Sequence, residues 1–207
     1  MEDYEAWKAY PNYRKWFNKL YLSNLLKYDC GPCGVPPDKD GYYIVRPIYN
    51  LSGMSACAQK MYIQEGDTSK VPPGYFWCEW FEGNHISATY QFVHDTNPYW
   101  KPLKAWRGFK SDLRFRRWEK TTEYPVVPRQ LNQLSSFKIN IEFIGDKVIE
   151  VHLRDTPDPD YNVLIPIWED DPISLVDLYL DKGYDYIESF DDADGFVKPA
   201  RLGFMVK

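Results

Sequence analysis

Apolar residues at Tyr13, Trp16, Phe17, Leu20, Tyr21 and Leu25 recur every three or four positions, which predicts an amphipathic helix over residues 12–28. Pro11 and Asn12 supply its start signal, and Gly31-Pro32 ends it. Downstream the pattern shortens to strands. Residues 42–48 read as a buried strand, 50–56 as a small-residue loop and 58–64 as a second strand, before Gly66-Asp67 and Val71-Pro-Pro-Gly74 punctuate the chain. Residues 75–81 and 86–93 read as two strands joined through Glu82-Gly-Asn-His85. Residues 95–128 are rich in Pro, Trp and Arg and show no clean period. A short helix at 129–136 precedes a hairpin, 138–143 with 148–153, turned at Gly145-Asp146. A strand at 163–167, a helix from Ser174 to Leu180 and a closing pair of strands complete the chain, with no internal repeat.

Alternation along the hairpin puts Glu150, His152 and Arg154 on one face, and a three-residue turn sets Glu142 opposite Glu150 and Asn140 opposite His152. Two carboxylates, an imidazole, an amide and a guanidinium thus gather on one surface. Carboxylate oxygens suit Mg²⁺, which is usually shared with substrate phosphates. A neighbouring Arg offsets the charge that develops as a phosphoryl group moves. The same alternation also describes the solvated face of an antiparallel ribbon, where such pairs are worth little.

Two further segments fit a nucleotide. The run Gly41–Ala58 is a strand that delivers Arg46 and then breaks into Leu51-Ser-Gly-Met-Ser55, whose small residues let backbone amides close over phosphates. The strand ending Trp77-Cys-Glu-Trp-Phe81 can offer backbone groups to an adenine edge, and the turn after it a polar side chain to a ribose. An ordinary hairpin with Phe76 and Trp77 in the core describes the same residues.

With 207 residues the chain can bury one sizeable core, with at most a small subdomain. Eight Trp and seventeen Tyr add aromatic material for a core or a wet interface. A formal charge of −5 argues against a general nucleic-acid binder. No apolar run is long enough to cross a bilayer and the acidic start is no signal peptide, so a soluble cytoplasmic protein is expected. The pair in Cys30-Gly-Pro-Cys33 has thioredoxin-type spacing. That chemistry needs a strand before the first thiol and a helix after it. Here a helix precedes and Gly34-Val-Pro-Pro follows, so a loop role is expected rather than redox or zinc chemistry.

The order of these pieces resembles the ATP-grasp superfamily over residues 18–156. Residues 18–37 look like the family's helix that ends in Gly-x-Pro. Ile44-Val-Arg-Pro-Ile48 with Leu51-Ser-Gly-Met-Ser55 resembles the Val-Lys-Pro strand and its phosphate-covering loop. Cys78-Glu-Trp-Phe-Glu-Gly83 is similar to the hinge between the two halves of the nucleotide cleft, and Ile149-Glu-Val-His-Leu-Arg154 to the strand that carries metal ligands. The resemblance implies an α+β fold in which two small antiparallel-sheet subdomains with packed helices enclose a nucleotide cleft. It divides the chain into an N-terminal lobe at about 12–75, a hinge and metal-binding lobe at about 76–160, and a C-terminal extension at 161–207. The family's usual N-terminal domain is expected to be absent.

The resemblance also implies roles. Lys19 and Arg46 would contact ATP phosphates under a flap of Ser52, Gly53 and Ser55; Glu79 and Phe81 would hold the adenine edge; Glu142, Glu150 and His152 would bind Mg²⁺; Arg154 would stabilise the transferred phosphoryl. Three positions depart from the family pattern: Arg46 stands for Lys, His85 for a ribose-binding acid and His152 for Asn. Such enzymes activate a carboxylate as an acyl phosphate and pass it to an amine, on a small-molecule or peptide acceptor, or on a protein partner. The alternative is a non-catalytic module of the same fold that binds a nucleotide or a protein.

Overall fold

The computed structural model describes residues 1–51, 57–111, 114–189 and 198–207. The N-terminal periodicity is divided. Residues Asp3–Ala9 form helix α1, Pro11–Phe17 a 3₁₀ helix, and Lys19–Leu25 helix α2. The helix predicted as continuous over 12–28 breaks at Asn18, whose backbone is extended and whose Oδ1 accepts from Tyr21 N–H at 2.7 Å. The Lys19 N–H leaves the helix ladder to donate to Ile48 O at 2.9 Å. An N-cap of this kind starts a new helix and ends the old one.

Strands Cys30–Pro32 (β1), Gly41–Pro47 (β2), Gln59–Ile63 (β3) and Tyr75–Glu79 (β4) form a small antiparallel sheet of order β1-β4-β2-β3. Tyr43, Val45, Ile63, Val71 and Trp77 form its core. Cys30 and Cys33, expected in a loop, instead frame strand β1, which pairs with β4 so that Cys30 lies opposite Cys78. Burial pushes the Cys30 thiol up to about 11 and the Cys78 thiol up to about 12, so both stay protonated and inert at neutral pH.

The second sheet has eight antiparallel strands: His85–Val93 (β5), Tyr99–Ser111 (β6), Arg114–Lys120 (β7), Lys138–Ile144 (β8), Lys147–His152 (β9), Val163–Trp168 (β10), Asp185–Glu188 (β11) and Arg201–Val206 (β12). Their order is β11-β12-β10-β7-β6-β5-β8-β9. Residues 95–128, which show no period, hold the β6–β7 ribbon. Most of β6 is half-buried or exposed and its pairing is interrupted by register shifts, so no clean alternation survives in the sequence. The helix expected at 129–136 is a 3₁₀ turn, Arg129–Leu134, that buries Leu131 and Leu134. Helix α3, Ser174–Leu180, packs beside β11 and β12. Segment 161–207 thus supplies three strands of the large sheet.

The main core lies where the N-terminal helices cover β5, β8 and β9, with Trp16, Phe17 and Leu22 against Ile86, Ile141, Phe143 and Val151. Among the described residues no helix is long and apolar enough to cross a membrane. Residues 80–84 carry the chain from β4 of one sheet to β5 of the other. There Gly83 has φ +132°, and a Cβ on it would come within 2.8 Å of the Gly145 backbone. Gly83→Ala is therefore expected to lower unfolding free energy by about 1–3 kcal/mol, from the backbone conformation alone. A denaturant titration with an unchanged midpoint would contradict this.

Candidate functional site

A cleft of about 570 Å³ opens between the two sheets. Ile44 and Arg46 of β2 form one wall, residues Trp80–Asn84 the back, and the β8–β9 ribbon the opposite wall. Lys110 and Phe115 from the β6–β7 ribbon close the far end.

Asn140 faces His152 and Glu142 faces Glu150, the pairs expected, although the turn between Ile144 and Lys147 has two residues and not three. Between Phe143↔Val148 and Glu142↔Glu150 the register shifts, which makes Ile149 the extra residue of a β-bulge. The Ile149 carbonyl accepts from Arg46 Nη2 at 3.0 Å, so the bulge ties the small sheet to the large one. Arg46 is buried, with its guanidinium over the Phe76 ring at 5.3 Å, and its Nε has no partner among the described residues.

Each acid at the cleft wall meets a cation or an imidazole. Lys19 Nζ, buried at the start of α2, lies 2.6 Å from Glu150 Oε1. Glu142 Oε2 is 3.0 Å from His85 Nε2 and Glu142 Oε1 is 3.8 Å from His152 Nε2. Burial works to raise the Glu142 pKa, but the bonds to His152 and His85 override it and hold the carboxyl well below its usual range. Burial pushes His85 below its ordinary value. A neutral His85 donates from Nε2 to Glu142, which leaves Nδ1 as a buried acceptor without a partner among the described residues.

Behind this layer, Asp3 of α1 reaches the end of β9. Asp3 Oδ2 lies 2.6 Å from His152 Nδ1, and Asp3 Oδ1 accepts from Arg154 Nε at 2.7 Å. Burial opposes charge on both partners, yet the pair prevails: His152 is raised to about 10 and Asp3 lowered to about 2. Asp3, Glu150 and His152 bring one ligand atom each within 4.8 Å of one another, while Asp3 also bonds His152 and Arg154. Glu142 and Glu150 add carboxylate oxygens at the wall of the cleft.

Lys19, Arg46, Phe81, His85, Glu142, Glu150 and His152, far apart in sequence, all line this one cleft. Arg154 lines a smaller chamber beside it. Glu79 lines neither. Its N–H donates to Asp29 O at 2.9 Å and its Oε1 accepts from Asp29 N–H at 3.1 Å, so it secures the start of β1 instead of an adenine edge. Ser52, Gly53 and Ser55 lie outside the described residues. His85, expected near a ribose, lines the cleft with its Nε2 on Glu142.

Sequence reasoning overlooked Asp3, Trp80 and Lys110. Trp80 was detectable as a residue of the hinge, between the two sheets. Asp3 carried no signal, because its partner lies 149 positions away. Of the arginines in 95–128, Arg107 lines the cleft and pairs with Glu123. Arg114, Arg116 and Arg117 pair with Asp170, Asp171 and Glu119 on β7.

At the level of sequence neither a family model nor a curated protein matches the chain. Solved structures do. N5-carboxyaminoimidazole synthetase from Staphylococcus aureus, complexed with ADP, superposes with a TM-score of 0.57 at 9% identity, over 93% of this chain and 67% of that one. N5-carboxyaminoimidazole synthase from Aspergillus clavatus, in complex with ADP and its ribonucleotide, gives a TM-score of 0.50 at 10% identity, over 93% and 68%. An ATP-grasp superfamily protein from Archaeoglobus fulgidus gives 0.46 at 11% identity, over 94% of this chain and 65% of that one. The chain spans about two thirds of the length of these structures. It has an α+β fold with two antiparallel sheets, like that of the N5-carboxyaminoimidazole synthetase structure.

The Asp3–His152 pair sets a pH dependence. His152, with its folded pKa raised, contributes stability that is complete below about 6.5 and is lost as pH rises through about 10. Asp3, with its folded pKa lowered, contributes stability that is complete above about 3.8 and is lost as pH falls through about 2. Asp3→Asn is expected to cost roughly 3–5 kcal/mol at pH 6, as one partner of a buried pair is removed. It should also flatten the fall of melting temperature between pH 7 and 10. Parallel melting curves for the two proteins across that range would contradict the pairing.

Proposed function

We propose that this chain is an ATP- and Mg²⁺-dependent ligase that joins a carboxylate to an amine through an acyl phosphate. The observation that carries this reading is Glu142, held ionised by its partners, beside Glu150 on the cleft wall, with buried Lys19 against Glu150 and buried Arg46 on the adjoining carbonyl of Ile149. Two of the similar structures, a synthetase and a synthase, are complexed with ADP, which supports the same reading.

Trp80, Phe81 and the apolar Ile44, Ile144 and Ile149 suit a purine at the hinge end of the cleft. Arg46 suits the phosphates. A buried guanidinium Nε without a partner is costly, and an anion would satisfy it. Glu142 and Glu150 would hold Mg²⁺, which supplies charge neutralisation between phosphate oxygens when bound. His152, locked by Asp3, adds a fixed positive charge beside Glu142.

In the first step an oxygen of the substrate carboxylate attacks the γ-phosphorus. The bond from γ-phosphorus to the β,γ-bridging oxygen breaks and ADP departs with the electron pair. An amine nitrogen then attacks the acyl carbon, phosphate leaves, and the nitrogen's proton passes to solvent. The preset cations do the work, since they need no reorganisation as charge shifts. The amine acceptor belongs to a small molecule or a peptide.

The non-catalytic reading has one observation in its favour, the 2.6 Å contact that already neutralises Glu150 with Lys19. The two readings part in one experiment. ATP with Mg²⁺ is expected to raise the melting temperature, by the equivalent of about 2.7 kcal/mol at a hundredfold excess over Kd. Glu150→Ala is expected to keep its circular dichroism and slow acceptor-dependent ADP release by roughly 100-fold or more. A nucleotide shift without any ADP release in the native protein would favour the binding module. No shift at all would contradict the ligase and any nucleotide-binding module, and leave a module that binds a protein.

A further inference from the structure

Beyond Glu142 and His152 lies a second chamber of about 100 Å³. It shares Phe115, Glu142 and His152 with the nucleotide cleft, so a group seated in it adjoins the acids. Trp106, Trp118, Trp168 and Leu164 form an apolar wall, while Arg154 and Arg201 add two buried guanidinium groups. We propose that this chamber binds the carboxylate substrate, and that the substrate is a short-chain monocarboxylic acid. The proposal rests on the ligase reading above.

Size argues first. The chamber is smaller than the roughly 150 Å³ cavity known to admit a benzene ring. Its walls are fixed. Trp106 Nε1 donates to Tyr161 O at 2.9 Å, Trp168 Nε1 donates to Phe115 O at 3.3 Å, and Phe115 stacks on Trp118 with centroids 4.1 Å apart. Indoles held this way do not swing aside for a larger ligand. Asn140 Nδ2 donates to Ser87 Oγ at 3.0 Å, which takes up part of their hydrogen-bonding capacity.

Charge argues next. Arg154 bonds Asp3 through Nε and the Asp155 carbonyl through Nη1 at 3.2 Å. A guanidinium has five donors in a fork that matches a carboxylate, more than these two acceptors take. Arg201, paired with Asp158 at 3.2 Å, brings a second cation to the same space. Arg201 and Trp168 come from β12 and β10, so the C-terminal strands contribute one side of the chamber. Glu2, Asp3, Glu142 and Asp158 also line the chamber, so an acid bound there competes with Asp3 and Asp158 for the two guanidinium groups, and an amine is the ligand that would argue against the assignment.

Tryptophan fluorescence reads the chamber without nucleotide. Isobutyrate is expected to give a saturable change, with phenylacetate weaker by about tenfold or more. Arg201→Gln is expected to weaken isobutyrate binding by at least about tenfold while leaving the ATP-induced rise in melting temperature unchanged. Should that variant fail to fold, Trp168→Phe serves, and is expected to admit phenylacetate. With Mg²⁺, ATP and hydroxylamine as the trapping amine, isobutyrate should yield its hydroxamate, ADP and phosphate in equal amounts. A response to propylamine but not isobutyrate, equal binding of phenylacetate, or no response to any acid would overturn the proposal. If the acids fail while the ATP shift persists, only the chamber assignment falls. If the ATP shift is absent, the ligase reading falls.

Discussion

Two carboxylates facing each other on a half-buried β-ribbon are an expensive arrangement, and the rest of the molecule is organised around making it tolerable. The β8–β9 register sets Glu142 against Glu150, where water is too scarce to screen them. Compensation comes from every direction: Lys19 from α2, His85 from β5, and His152 from the same ribbon. Removing any one of these would leave a buried charge exposed to its like, which costs far more than an intact pair contributes.

The compensation has a second tier. A buried imidazolium needs its own counter-charge, and Asp3 supplies it while also fixing Arg154. The N-terminal helix is thereby bound to the far end of the chain's acidic ribbon, so that closing the core and charging the site are one event. The bulge at Ile149 performs the matching task for the other lobe. It presents a carbonyl to Arg46, which holds the small sheet over the large one with a cation between them.

Much of this was legible in the chain. The opposition of Glu142 and Glu150, expected from a three-residue turn, is present, but it arises from a two-residue turn at Gly145-Asp146 followed by the bulge at Ile149. Arg46 and the hinge were readable because a strand ending in a cation and a strand ending in aromatics are local patterns. What could not be read was contact across distance. Asp3 meets His152 through a fold closure with no local trace, and Glu79 lost its expected place because Asp29 occupies both its N–H and its carboxylate. The β6–β7 ribbon escaped notice because a strand exposed on much of both faces has no period. The break at Asn18 escaped because a capping residue inside an apolar repeat looks like an ordinary surface position.

The central claim is spatial: one cleft holds a nucleotide with its base at the hinge and its phosphates between Arg46 and the paired acids. A crystal structure with ADP and Mg²⁺ tests it most directly. The account requires the base against Trp80 and Phe81, phosphate oxygens within hydrogen-bonding distance of Arg46, and the metal on Glu142 and Glu150. Nucleotide bound elsewhere, or phosphates turned away from the β8–β9 ribbon, would contradict it.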